Sequence, residues 1–132
     1  MRLLCIDPAE VGNYWPLARD FIKQATARGG GNFEKDEAEI LSGKQLLWVA
    51  GSDQGIEAVA TTQLILEGDD KICVIAACGG HDRDRWLPLI EGLEAFAKAE
   101  NCISVRIIGR PGWARVLQGY AVKSVVLDKD LA

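Results

Sequence analysis

A chain of 132 residues, 48% hydrophobic and 26% charged, can bury one ordinary core and is too apolar for a disordered segment. Its formal charge of −4 excludes a protein that grips nucleic acid through bulk positive charge, and no apolar run is long enough to span a bilayer. The expectation is one domain over residues 1–132, with the cytoplasm as default compartment.

Arg2–Ile6 is a short apolar run suited to a first strand. Asp7-Pro8-Ala9-Glu10 reads as a helix start, with Asp at the N-cap, Pro at the first position and Glu at the third. The helix that follows aligns Trp15, Ala18, Ile22 and Ala25, with Phe21 beside them, and Pro16 makes Asn13 a second starting point. Gly29-Gly30-Gly31 ends it, and Phe33–Ser42 suits a second helix closed by Gly43. Three strands come next: Gln45–Ala50, Ile56–Leu66 and Lys71–Cys78. The turns between them are Gly51-Ser52-Asp53-Gln54-Gly55 and Glu67-Gly68-Asp69-Asp70, short enough to make an antiparallel meander.

After Gly79-Gly80, the stripe Trp86, Leu89, Ile90, Leu93, Phe96 and Ala97 marks the clearest helix. Pro88 belongs in a first turn, so this helix starts near Asp84, and Leu89, Leu93 and Phe96 are expected against the sheet. Ser104–Ile108 is then a strand, Pro111–Gln118 a short helix and Val122–Leu127 a last strand. The long helix makes Lys71–Cys78 and Ser104–Ile108 parallel neighbours. The fold class is α/β (α+β): a mixed, mostly antiparallel sheet with one parallel pair and helices on both faces.

The four cysteines lack the paired spacing of a zinc or redox motif, so no metal site is expected. Cys5, Cys73 and Cys78 read as small buried hydrophobes, and the odd spacing of Cys73 and Cys78 puts them on opposite sides of any regular strand. His81, the single histidine, sits at a strand-to-helix junction where ligand sites often lie, although a lone loop histidine is more often solvated. Arg106, Arg110 and Arg115 with Trp113 would form a basic aromatic patch for a phosphate or an acidic partner; the plainer reading has Trp113 anchoring the short helix.

This order of elements resembles the GNAT acetyltransferase superfamily along almost the whole chain. Those proteins run β-α-α-β-β-β-α-β-α-β and transfer an acyl group from a coenzyme A thioester to an amine. Ile103–Leu127 is similar to the family's fifth strand, final helix and last strand, with Gly119-Tyr120 where the family commonly has Gly-Phe. Gly109-Arg110-Pro111-Gly112-Trp113 is similar to a segment of short GNAT-like proteins from bacteria and their phages.

The resemblance implies acetyl-CoA as cosubstrate, bound where the parallel strands splay. The backbone of Ile75, Ala76 and Ala77 would pair with the pantetheine arm. Gly79, Gly80 and His81 would offer N–H groups to the pyrophosphate, and Arg83 and Arg85 would neutralise it. The partners implied are acyl-CoA and an unknown amine or protein, with a homodimer or protein assembly as the quaternary expectation; nucleic acid and membrane are not among them.

The chain departs from the family at two places. The family's loop is Gln/Arg-x-x-Gly-x-Gly/Ala, whereas in Gly79-Gly80-His81-Asp82-Arg83-Asp84-Arg85-Trp86 the glycines come first and Asp82 and Asp84 oppose phosphate. The plain alternative has Asp84 capping the helix. The family's tyrosine, four residues before the Gly of Gly-Phe, falls on Arg115, and an asparagine near the start of that helix is missing. Tyr120 is the nearest phenol, and Glu57, Glu67 and His81 are the candidate bases. Two readings stand: an acyl-CoA-dependent N-acetyltransferase of unknown acceptor, or a non-catalytic GNAT-fold binding or structural protein, phage-encoded.

Overall fold

The computed structural model describes residues 1–29, 31–108 and 113–131. The chain enters as strand β1 (Arg2–Cys5), and Asp7 caps a 3-10 turn over Pro8–Glu10 by accepting the Ala9 N–H at 2.9 Å. Helix α1 (Val11–Gly29) follows without a break. It does not restart at Asn13. Pro16 lies so early that the carbonyl it leaves unbonded is that of exposed Gly12, which water can satisfy. Helix α2 (Phe33–Leu41) opens on Asn32, whose side chain accepts the Lys35 N–H at 3.1 Å, and closes before Gly43 at φ 84°.

Four more strands complete one five-stranded sheet of order β1-β2-β3-β4-β5: β2 (Leu46–Ser52), β3 (Gly55–Glu67), β4 (Asp70–Gly80) and β5 (Ser104–Ile107). All pairs are antiparallel except β4–β5, which is parallel. One irregularity reshapes the sheet. Thr61 pairs with Ala77 and Thr62 with Ile75, so Ala76 is an extra residue on β4, a β-bulge. The bulge resets the alternation of side chains. Ile75 packs with Trp48 and Leu93 on one face, Ala77 with Ile22 and Val59 on the other, and Cys78 returns to the Ile75 face. Cys73, in regular alternation with Ile75, therefore shares its face with Cys78, against the odd spacing in the sequence. Cys73 is buried and Cys78 half-buried, but Cys5 is exposed because β1 is an edge strand.

Helices cover both faces. On one, Trp15, Ala18 and Ile22 of α1 and Ile40 of α2 pack against Val49, Val59 and Ala77. On the other lie α3 (Arg83–Trp86), a 3-10 segment over Leu87–Leu89, α4 (Ile90–Ala99) and α5 (Trp113–Val116). The helix thus begins at Arg83, one residue earlier than expected, and Asp82 at φ 46° holds the cap position without a side-chain hydrogen bond. Asp84 falls inside the first turn and caps nothing. Pro88 is accommodated in the 3-10 segment, whose tighter winding shifts the buried face. Trp86, Ile90, Leu93 and Ala97 are buried, while Leu89 and Phe96 are only half-buried. Phe96 packs edge-on against Trp48, ring centroids 5.1 Å apart.

The last expected strand is absent from the sheet. Val122–Leu127 is exposed throughout and pairs with no strand among the described residues. The chain leaves the helical layer at Tyr120, whose O–H donates to Glu94 at 2.7 Å, and no neighbouring edge takes it up. The start of the expected Pro111–Gln118 helix lies outside the described residues; what is described of it is α5.

Candidate functional site

The ladder between β4 and β5 runs only from Ile72–Ser104 to Ile75–Ile107, whereas β4 continues to Gly80. The two strands part at the bulge, and a cleft of about 380 Å³ opens between them. Its inner wall is β4 from Val74 to Cys78, with Ile107 and Trp113 beside it; its outer end reaches α1 and α2. The His81 N–H donates to the Glu57 carbonyl at 2.9 Å. Alternation along an antiparallel ladder then turns the peptide groups of Cys78 and Gly80 away from β3, toward the side that β5 has left. The result is a short strand edge that no strand pairs with among the described residues; Cys78 lines the cleft and Gly80 lies beyond its lining.

The outer end carries a set of acceptors together with the cations Arg28 and Lys35. Asp36 accepts from Gln45 Nε2 at 3.1 Å and, more weakly, from Thr26 Oγ1 at 3.4 Å. Gln45 is 2% exposed, and its Oε1 has no hydrogen-bond partner among the described residues. Glu39 Oε2 is likewise buried and without a hydrogen-bond partner among the described residues, while its other oxygen lies 3.9 Å from the Lys35 ammonium. Asp36, Glu39 and Gln45 all line the cleft. Buried acceptors without donors are costly unless something supplies the donors, and a cationic amine does so. The sequence carried a signal for this pair, since Asp36 and Glu39 stand at i and i+3 on α2. Nothing in the sequence showed that this face of α2 looks across the sheet to Ala76.

Of the residues named from the sequence, Ile75, Ala76 and Ala77 line the cleft. Gly79 is packed on α1, where a Cβ would lie 3.3 Å from that of Ala25. At Gly80 a Cβ would strike the Glu57 carbonyl oxygen and come within 2.7 Å of Ala58 Cα, so the close approach of β3 already demands glycine there. His81 spends its backbone N–H on Glu57 and sets its exposed ring edge-on to Phe21 at 5.1 Å. Arg85 is held by Glu57 at 3.0 Å, whereas Arg83 is exposed and has no carboxylate partner among the described residues.

Glu67 sits at the far end of β3 and takes both guanidinium nitrogens of Arg106, at 2.7 and 2.9 Å; these hydrogen bonds hold its carboxyl below the usual range. Arg106 is thereby removed from any basic patch. Arg115 is exposed on α5, Arg110 lies outside the described residues, and half-buried Trp113 packs on Trp86, ring centroids 6.3 Å apart. Burial, and then Glu94, push the Tyr120 phenol up. None of Glu57, Glu67, His81 and Tyr120 is among the cleft-lining residues. Cys78 is, but burial pushes its thiol up to about 12, which leaves no thiolate for nucleophilic chemistry near neutrality.

Known structures share this fold over nearly the whole chain. An acetyltransferase from Clostridium acetobutylicum, solved with acetyl-CoA, matches at a TM-score of 0.67 over 98% of this chain and 96% of its own, at 14% identity. The chain has the GNAT fold. A GNAT family acetyltransferase from Staphylococcus aureus matches at 0.67, covering 98% of each chain at 14% identity. An aminoglycoside acetyltransferase from an uncultured soil metagenomic sample, solved with sisomicin, matches at 0.69 over 99% of this chain and 95% of its own, at 13% identity. No protein-family model and no curated protein sequence matches. What places the chain in the GNAT fold is therefore the sheet order, the parallel pair and the helical layers. Sequence likeness plays little part.

Proposed function

We propose that the chain is an acyl-CoA-dependent N-acetyltransferase whose acceptor amine enters the cleft from the α1–α2 side. The observation that carries this is the splay at Ala76, which joins a free strand edge on β4 to an acceptor-lined pocket at the other end of one cavity. Acetyl-CoA, when bound, supplies an activated acyl thioester. The peptide groups of Cys78 and Gly80 would hold its amide-bearing arm, as an added strand is held. Arg83 offers its phosphates an unpaired positive charge, and Asp82 and Asp84 weaken that attraction. Asp36 and Gln45 would orient an incoming ammonium. Glu39, with an unpartnered buried oxygen, would take its proton so that the free amine can attack.

The second reading, a GNAT-fold binding protein without chemistry, has one observation in its favour: Arg115 stands at the family's tyrosine position, and Tyr120 is bonded to Glu94 outside the cleft. One assay separates the two. Calorimetry with acetyl-CoA, followed by thiol release across a panel of mono- and diamines, should show binding and turnover. Glu39→Gln should lower turnover by about 10²–10⁴-fold and leave acetyl-CoA affinity unchanged. Binding without turnover for any amine, or no binding of acetyl-CoA at all, removes the first reading and selects the second.

A further inference from the structure

The outer end of the cleft sorts its charges by depth. Innermost, Gln45 is buried with Oε1 unpartnered among the described residues, and Glu39, its side chain 13% exposed, keeps Oε2 without a donor there. Asp36 is half-buried beside them, bonded to Gln45 through Nε2. Two cations stand at the mouth. The Lys35 side chain is 73% exposed and meets Glu39 at 3.9 Å, a separation worth little in water. Arg28, exposed in the last turn of α1, has no carboxylate partner among the described residues. Asn32 lines the same mouth and caps α2, whose N-terminus adds partial positive charge. Arg28, Lys35, Asp36 and Glu39 are the charged side chains of the described lining, and their formal charges cancel.

Resting on the acetyl-transfer reading above, we infer that the acceptor is a small zwitterion of the free amino-acid class, held with its ammonium inward and its carboxylate at the mouth. An ammonium brings three N–H donors, which suit the orphaned oxygens of Gln45 and Glu39 together with Asp36. A carboxylate at the mouth pairs with both cations, and Arg28 can take it in a two-bonded fork. A zwitterion leaves the charge balance of the cleft unchanged, whereas the second ammonium of a linear diamine is driven against Arg28 and Lys35. Lys35 and Glu39 stand about one turn apart on α2, which suits a ligand whose two charges are a few bonds apart. The cleft, about 380 Å³, must also take the acyl end of the cosubstrate, so the acceptor is small. On transfer the amine nitrogen bonds to the acyl carbon as the C–S bond breaks. Of the two ammonium protons released, one leaves through Glu39 and the other ends on the coenzyme A thiol. The product keeps its carboxylate but has no ammonium, so it loses the inner half of its hold and departs.

Thiol release with acetyl-CoA should be compared across the common amino acids, their methyl esters and linear diamines. The best amino acid should exceed its own ester and every diamine in kcat/KM by about 10–100-fold, the effect of one charge-assisted pair. Arg28→Ala and Lys35→Ala should raise KM for that amino acid far more than they lower kcat, and should shrink its advantage over the ester. Lys35→Glu should turn the preference toward diamines. Both side chains are exposed, so these variants should keep the wild-type circular dichroism and Tm. Esters or diamines that match every amino acid overturn the inference and leave acetyl transfer standing, as does an amino-acid preference that survives both alanine variants. If no amine is turned over, the transferase reading fails, and ligand-observed NMR with the same amino acids decides the pocket alone. Binding lost in Arg28→Ala and in Glu39→Gln supports the zwitterion site; absence of binding, or binding indifferent to both variants, overturns it.

Discussion

At the scale of single residues, the geometry reassigns several side chains. Glu37 accepts from Trp15 Nε1 at 2.8 Å and from Arg19 Nε at 2.9 Å, and these bonds, Trp15 first, hold its carboxyl below the ordinary range. A depressed carboxyl stabilises the fold fully above its unfolded value, and that contribution disappears as pH falls through the folded value. Wild type should therefore lose stability on acidification below about pH 4.3, the ordinary glutamate value. Glu37→Gln should be the weaker protein at neutral pH and should lose less over the same range; parallel pH–stability curves from denaturant melts would remove Glu37 as the cause. Gly80 shows why the sequence misled. A diglycine before a helix reads as phosphate-binding freedom, yet here β3 passes too close for any side chain. Gly80→Ala should cost about 1–3 kcal/mol by overpacking, seen without any ligand present. If it melts like wild type but no longer binds acetyl-CoA, the phosphate role returns. The end proposed to take the amine was illegible for a related reason: Asp36, Glu39 and Gln45 are ordinary polar residues until the fold brings them to one cleft.

At the scale of elements, hydrophobic periodicity carried most of the information. The three central strands, the parallel pair and both helical layers were readable, because each buries a face whose spacing is visible in the sequence. Three features were not. The bulge at Ala76 arises in a continuous apolar run that has no alternation to break. The 3-10 segment at Leu87–Leu89 turns the helical stripe, exchanging Leu89 for Ile90 at the sheet. Val122–Leu127 has a strand's composition but pairs with no strand among the described residues. Leu93 belongs to the register that survived: it is 1% exposed and packs with Trp48, Ile75 and Ile90. Leu93→Ala should cost about 2–5 kcal/mol in denaturant melts. Leu17→Ala, at a position 64% exposed, should stay within about 0.5 kcal/mol. Equal losses at the two sites would mean that α4 does not bear on the sheet as described.

At the scale of the whole molecule, the splay leaves β4 and β5 joined over four register pairs, with a cavity where the ladder would have continued. A ligand seated there replaces the missing ladder and binds only the folded chain, so it must raise stability. At one hundred times its dissociation constant it contributes about 2.7 kcal/mol, a shift of several degrees in Tm for a domain of this size. The chain carries a net charge of −4, so long-range attraction for the proposed anionic cosubstrate must come from local charge near α3, where Arg83 has no carboxylate partner among the described residues and Arg85 is held by Glu57. Arg83→Ala should therefore weaken acetyl-CoA binding and flatten its salt dependence, whereas Asp82→Asn should tighten binding by removing an opposing charge. Asp82 stands at φ 46°, a conformation asparagine tolerates as well as aspartate, so the exchange should leave the fold intact and isolate the charge. Both variants should lie close to wild type in Tm without ligand and separate in opposite directions with it. If the two move together, or neither moves, the phosphates do not sit at the start of α3. The cosubstrate would then have to reach the cleft by another route.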